Sequence, residues 1–268
     1  MAEAVAVDVA GRSAESISRE FVDAVLTPGA IATLFQPIVY LGGQVSEVWA
    51  VECLTRGRAD TMFGDADALF RRARRENLEV EVDRACVATA LETAQRRRVQ
   101  TNLFLNVHPE TLRRDARFPA FLAATAERCR VALTRVTLEL VEYGRHLVDG
   151  ALRRALGSLR ASGARIALDD FGRGPCDHQM LRDCQPHFLK LDGHLLRAAR
   201  RFPAERRLVA AVLDAVRDRG IVPIAEGIEQ PADLDLARTM GVRLVQGYLI
   251  AGPSVDGGVA AVMEAPKR

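Results

Sequence analysis

Residues Arg165–Gly174, RIALDDFGRG, are the stretch on which the reading of the fold turns. Ile166-Ala167-Leu168 follows the helix-stopping Gly163 and runs into Gly172, which is the pattern of a short buried strand between turn signals. Asp169 and Asp170 stand side by side where that strand ends. Neighbouring side chains on a strand point to opposite faces, so the strand end aims one carboxylate inward while the turn re-aims the next. Two carboxylates this close raise one another's pKa unless a cation lies between them, which suggests a divalent metal. An Asp-Asp pair in a solvated turn is the simpler alternative. Asp-Phe-Gly also occurs as a kinase magnesium motif, but no glycine-rich phosphate loop and no His-Arg-Asp loop accompanies it here.

Outward from this stretch, the same unit repeats. Strands are expected at Leu103–Val107, Val136–Val141, Arg165–Asp169, Phe188–Asp192, Ile221–Glu226 and Val242–Gln246. Helical periodicity falls between them, at Asp67–Asn77, Glu79–Arg97, Phe118–Cys129, Leu147–Ala161, Ala204–Arg219 and Pro231–Met240. Strand-helix alternation means parallel strands with crossover helices. Upstream, Leu34–Tyr40 and Glu47–Leu54 flank Leu41-Gly42-Gly43-Gln44, a hairpin signature, so the first two strands run antiparallel. Together these are the eight strands of a modified (β/α)₈ TIM-like barrel whose first strand is antiparallel. An open doubly wound sheet would need a glycine-rich first βα turn, which is missing. Domain boundaries follow: residues 1–30 form an N-terminal extension with one helix, from Ser13 to about Leu26, and residues 31–268 form the barrel.

Composition narrows the class. The chain has 268 residues, 49% hydrophobic and 27% charged, enough for a large core. No apolar run approaches the roughly 18–20 residues that span a bilayer, and the N-terminus lacks the basic region of a secretory signal. The five cysteines (Cys53, Cys86, Cys129, Cys176 and Cys184) are scattered without metal-ligand spacing, as for reduced thiols in a cytoplasmic protein. Net charge is +2, and arginines such as Arg71, Arg72, Arg74 and Arg75 alternate with acids along helices. These read as solvated faces, so neither nucleic acid nor membrane is an expected partner. Lysine occurs only at Lys190 and Lys267, and Lys190 lies inside an apolar strand.

The strand ends supply the chemistry. The second strand ends in Glu52 with Arg56 beyond it, the third in Asn106, the fourth in Glu139 and Glu142, and the fifth in Asp169 and Asp170. The sixth brings Lys190 and Asp192, the seventh Glu226 and Glu229, and the eighth Gln246. In a parallel barrel these ends open on one face, where barrel enzymes build active sites. Each residue taken singly also fits a helix cap or an edge charge. Converging on one mouth, the carboxylates would repel one another strongly without metal. An all-oxygen set points to Mg²⁺ or Mn²⁺ rather than zinc.

Ordered motifs make the set specific. Phe35-Gln-Pro-Ile-Val39, Glu52-Cys-Leu-Thr-Arg56, Leu105-Asn-Val107, Glu139-Leu-Val-Glu142, Asp169-Asp-Phe-Gly172, Lys190-Leu-Asp192, Ala225-Glu-Gly-Ile-Glu229 and Gln246-Gly-Tyr248 resemble, in order, the motifs of the EAL-domain family, with Cys53 in place of alanine. The resemblance covers about Leu34 to Pro253. It implies a phosphodiesterase that cuts cyclic di-GMP to linear pGpG on a barrel with an antiparallel first strand. By the same resemblance Glu52, Asn106, Glu139 and Asp169 hold one Mg²⁺ or Mn²⁺. Asp169 bridges to a second ion held with Asp170 and Glu226, and Ca²⁺ is expected to inhibit. Lys190, Glu226 and Glu52 are the expected catalytic residues. Lys190 orients the attacking water and helps deprotonate it, and Glu226 is the general base. Arg56 binds a substrate phosphate, Gln36 and Leu54 line the nucleotide pocket, and Asp192, Glu229 and Gln246 complete the substrate-binding set.

One departure stands out. After Asp-Phe-Gly the family reads Thr-Gly-Tyr-Ser-Ser, whereas this chain reads Arg173-Gly-Pro-Cys-Asp177. In the family this loop supports metal binding and dimer contacts, so a homodimer through the barrel-mouth loop and the helix after strand five is implied. Glu142 anchors the loop there; here Arg173 is expected to replace the lost hydroxyl contacts by pairing with Glu142. The rebuilt loop keeps a second reading open, a cyclic di-GMP receptor with feeble turnover. An unrelated barrel hydrolase is the third.

Overall fold

The computed structural model describes residues 21–27, 29–42, 45–57, 66–140, 148–173 and 178–256. Eight strands close into a barrel in chain order: β1 (Ile31–Gly42), β2 (Val45–Gly57), β3 (Asn102–Val107), β4 (Val136–Leu140), β5 (Arg165–Phe171), β6 (Phe188–Leu191), β7 (Val222–Ala225) and β8 (Leu244–Val245). β1 is antiparallel to both neighbours, and every other pairing is parallel. The expected hairpin is present, with Gln36 opposite Glu52 and Ile38 opposite Ala50. Its expected turn residues Gly43 and Gln44 lie outside the described residues.

The helices are α1 (Ala66–Glu76), α2 (Glu79–Arg96), α3 (Pro109–Arg114), α4 (Phe118–Arg128), α5 (Gly150–Ala161), α6 (His178–Cys184), α7 (Gly193–Arg201), α8 (Pro203–Arg217) and α9 (Pro231–Thr239). Three of these, α3, α6 and α7, are not legible in the periodicity; they have six, seven and nine residues, short spans for a helical period to show. Their starts are set by local chemistry instead. Pro109 occupies the first turn of α3, and the Asp192 carboxylate caps α7 by accepting from His194 N–H at 2.7 Å. The last strand is shorter than Val242–Gln246: only Leu244–Val245 are in ladder register, although Arg243 and Gln246 still bond the backbones of Leu41 and Ala225. Just beyond it, Gly247 lies so close to Ile228 that an added Cβ would overlap its backbone.

Strand alternation sorts the side chains into two cores. Outward residues such as Leu105, Leu138, Leu140, Ile166, Leu168, Leu189 and Leu191 pack against the helices. Inward residues Ile38, Ala50, Phe104, Ala167, Phe188, Ile224 and Leu244 fill the barrel, with Trp49 against them. Three of these rings meet edge-on or tilted, with centroids 5.3–5.9 Å apart. Such contacts add roughly 0.5–1.5 kcal/mol per pair beyond area burial. This aromatic layer plugs the barrel and makes it a packed core, not a pore. A third cluster, Phe21, Val25, Ile31, Leu69, Ala73, Val82 and Cys86, packs the helical residues 21–26 onto α1 and α2. The rest of the expected N-terminal helix lies outside the described residues.

Four of the five cysteines (Cys53, Cys86, Cys129 and Cys184) are buried and free. Among the described residues no helix is long and apolar enough to cross a membrane.

Candidate active site

A single step of two residues along each strand carries the chain from the apolar plug to the mouth. Ala50 leads to Glu52, Phe104 to Asn106, Ala167 to Asp169, Phe188 to Lys190, Ile224 to Glu226 and Leu244 to Gln246, while on β4 the buried polar Thr137 leads to Glu139. On antiparallel β1 the step runs backward, from Ile38 to Gln36. A period of two keeps all of these on the inner face, so a polar layer sits directly above an apolar one.

Lys190 is the centre of that layer. Its side chain is 1% exposed, and its ammonium lies 2.7 Å from Glu139 Oε1, 2.7 Å from Glu226 Oε1, 3.2 Å from Asp169 Oδ1 and 3.4 Å from Glu52 Oε2. Burial by itself would lower the lysine's pKa. The surrounding carboxylates of Asp169, Glu139, Glu226 and Glu52 outweigh it and hold the ammonium well above the usual lysine range. Without metal, Lys190 is thus a fixed cation.

The carboxylates divide. Burial pushes Glu52 up, but Lys190 and the amide donors of Asn106 and Gln246 overcome it and hold Glu52 below its usual value. Asn106 Nδ2 donates to Glu52 Oε1 at 2.9 Å, and Gln246 Nε2 donates to Oε2 at 2.7 Å. Gln246 Nε2 also lies 3.2 Å from Gln36 Oε1, and Gln36 Nε2 donates to the Ala251 carbonyl. Burial, reinforced by neighbouring carboxylates, pushes Glu139 and Glu226 well above the ordinary carboxylate range against the pull of Lys190.

Asp169 and Asp170 sit where the β5–β6 register slips between Leu168 and Phe171. The slip breaks strand alternation, as bulges beside active sites do. Asp170 adopts φ 51, a left-handed conformation that aspartate tolerates at a cost. Asp169 faces Lys190, whereas Asp170, half-exposed, turns to Arg173. Gly172 closes the turn at φ 107, where any Cβ would overlap the Leu195 side chain of α7. Only glycine fits that position.

Oxygen atoms of Asp169, Asp170 and Glu226 lie within 4.8 Å of one another, close enough to share an ion. Both oxygens of the fully buried Glu139 lack a hydrogen bond among the described residues, although Lys190 is in ion-pair contact with one of them. A buried carboxylate with unused lone pairs, beside an all-oxygen donor set, fits a hard divalent cation.

A cavity of about 460 Å³ borders this layer at Asn106 and Asp170, lined also by Leu54, Arg56, Phe70, Asp83 and His108 among others. Leu54 and Arg56 are where a substrate pocket was expected; Asp83, Phe70 and His108 were not foreseen. Asp83 had a signal: it is an acid on the apolar stripe Val82, Cys86, Val87 and Ala90 of α2, and its Oδ2 accepts from His108 N–H at 2.8 Å. Burial raises its carboxyl from 3.8 to about 7. Glu229 stands apart, largely exposed and 4.0 Å from Arg197. Asp192 serves the α7 cap and an ion pair with Arg173 at 2.9 Å. Glu142, the expected partner of Arg173, lies outside the described residues, as do residues 174–177 of the loop.

An eight-stranded barrel with one antiparallel strand and an acidic, lysine-centred mouth defines a narrow class of protein. The sequence profile of the EAL domain matches residues 18–253, and the chain belongs to that family. It is 25% identical over 139 residues to "Cyclic di-GMP phosphodiesterase PdeF" of Escherichia coli K12, a match covering 52% of this chain and 19% of that relative. The chain therefore spans about a fifth of that protein's length. Among solved structures it resembles the calcium/cy-diGMP complex of BlrP1 from Klebsiella pneumoniae, with TM-score 0.76, 25% identity, and coverage of 84% of this chain and 56% of that one. It also resembles the c-di-GMP-bound form of a standalone EAL protein from Vibrio cholerae O395, with TM-score 0.73, 25% identity, and coverage of 84% and 92%.

Proposed function

We propose that this chain hydrolyses cyclic di-GMP to linear pGpG with the help of Mg²⁺ or Mn²⁺ at the barrel mouth. The observation that carries this reading is the ring of Glu52, Glu139, Asp169 and Glu226 within 3.4 Å of the buried Lys190 ammonium, next to a cavity lined by Arg56. Relatives described as cyclic di-GMP phosphodiesterases and neighbours solved with this ligand, including a manganese complex, support it.

In this reading Glu52, Asn106, Glu139 and Asp169 hold one ion, and Asp169, Asp170 and Glu226 hold a second. Divalent ions bound there supply a water nucleophile at neutral pH and neutralise charge on the phosphoryl oxygens. Water adds to phosphorus, one P–O bond of the ring breaks, and the leaving oxygen takes a proton. Glu226, 2.7 Å from the Lys190 ammonium at the mouth, receives the proton from the water. Lys190 gathers the carboxylates and holds the water by hydrogen bonding. Arg56 meets a phosphate at the cavity wall with a planar fork of donors. Leu54 and Gln36 border the nucleotide, with Gln246 fixing Gln36. A homodimer through the loop after β5 and α6 belongs to the same proposal, as does inhibition by Ca²⁺, a larger ion of looser geometry.

A second reading, binding with little turnover, is favoured by Arg173, whose guanidinium sits on Asp170 where a second ion would bind. Purified protein incubated with cyclic di-GMP and Mg²⁺ or Mn²⁺, with products resolved by ion-exchange chromatography, separates the two. A pGpG peak supports hydrolysis. Binding without product supports the receptor, and the absence of both binding and product overturns a cyclic di-GMP function.

A further inference from the structure

Arg173 makes two contacts that no reading of the sequence anticipated. Its Nη1 lies 3.4 Å from Asp170 Oδ1 and its Nε lies 2.9 Å from Asp192 Oδ2, so one guanidinium ties the end of β5 to the start of α7. The four carboxylates paired with Lys190 do not include Asp170. The acid pair is thus split between two resident cations, with Asp169 on Lys190 and Asp170 on Arg173. Three features hold the second half of that arrangement. Asp170 is turned outward by its left-handed backbone, Gly172 brings the turn against Leu195 of α7, and Asp192 is anchored by the α7 N-terminus.

We propose that Arg173 is a built-in counter-cation that competes with the second divalent ion for Asp170, so that the two ion sites of the mouth differ in affinity and the second fills only at high metal concentration. This rests on the reading of Asp169, Asp170 and Glu226 as ion ligands. A guanidinium keeps its charge at any physiological pH, so the competition is constant, not proton-gated. Binding the second ion must detach Arg173 from Asp170 and place two like charges near each other. Because Arg173 is 60% exposed, each ion pair is worth little by itself. The detachment and the screened repulsion together correspond to on the order of tenfold in affinity. Arg173 acts through Asp170 and is therefore a positioning residue.

The test is Mn²⁺ binding to the full chain without nucleotide, followed by the electron paramagnetic resonance signal of free Mn²⁺. Wild-type protein is expected to bind one ion tightly and a second more weakly. Arg173→Ala should tighten the second step about tenfold and leave the first within about twofold, while Arg173→Lys, with a charge that cannot span both carboxylates, should fall between. A melting temperature within about 2 °C of wild type for Arg173→Ala shows that the effect is not a folding defect. Two ions bound with unchanged or weakened second-step affinity in Arg173→Ala overturns this proposal alone. Absence of Mn²⁺ binding in both proteins overturns the ligand assignment and this proposal with it.

Discussion

Lys190→Met tests the electrostatic logic of the mouth directly. The side chains are similar in volume, so the substitution removes a charge and little packing. In wild type, four carboxylates within 3.4 Å share one ammonium that is 1% exposed. Removing one partner of a buried ion pair leaves uncompensated buried charge and costs about 3–5 kcal/mol. For a domain of this size each kcal/mol moves the melting temperature by roughly 2–4 °C, so in EDTA the variant should melt about 6–20 °C below wild type. Divalent cations should reverse much of that loss, because they supply the charge the lysine carried. Saturation at a hundred times the dissociation constant contributes about 2.7 kcal/mol.

The assay is thermal unfolding followed by circular dichroism, in EDTA and then across a Mg²⁺ or Mn²⁺ titration. The metal-induced rise in melting temperature should be larger for Lys190→Met than for wild type. Activity should not return with stability if Lys190 holds the water as proposed, since that hydrogen bond is still missing. A variant that melts within about 2 °C of wild type in EDTA would refute the reasoning. It would mean that the carboxylates are neutralised in some way other than by Lys190.

Asp169→Ala should abolish hydrolysis at saturating Mg²⁺ while the far-ultraviolet spectrum is kept, because its carboxylate touches Lys190 and not the apolar plug; near wild-type turnover refutes the ligand assignment. Asp83→Asn should change how stability depends on pH. The folded carboxyl titrates at about 7 against 3.8 for the free group, so the folded chain binds the proton more tightly and this group lowers stability as pH rises from about 4 to about 7. The amide still accepts from His108 and has no such slope, so urea unfolding should show the variant gaining up to about 4 kcal/mol over wild type between pH 4 and 8; a constant difference contradicts this. Gly172→Ala should reduce both stability and metal-dependent turnover, since its Cβ overlaps Leu195 at a φ of 107. Melting and turnover within error of wild type would show that α7 yields without disturbing Asp169 and Asp170.

What made the mouth legible in the sequence was a single period. Once each strand is placed, the residue two positions beyond the inner plug layer, apolar on six strands and Thr137 on β4, must face inward, and it is polar on seven strands followed in the parallel direction. Glu52, Asn106, Glu139, Asp169, Lys190, Glu226 and Gln246 all obey that rule. The rule fails where the backbone leaves it. At the β5 slip, Asp170 escapes the alternation, and with it the contacts of Arg173 with Asp170 and Asp192 escape a reading by period. A guanidinium reaches several ångströms from its Cα, so its partner is decided by the turn's geometry and not by spacing along the chain. The cavity wall was hidden for a different reason. Asp83 and His108 meet through one hydrogen bond between the long α2 and the six-residue α3, too short to show a helical period. Such pairings come from how helices sit on the barrel, and strand periodicity carries no information about that. The residues that hold charge in the inner layer were therefore readable, whereas those that modulate it from turns and helix ends required the fold.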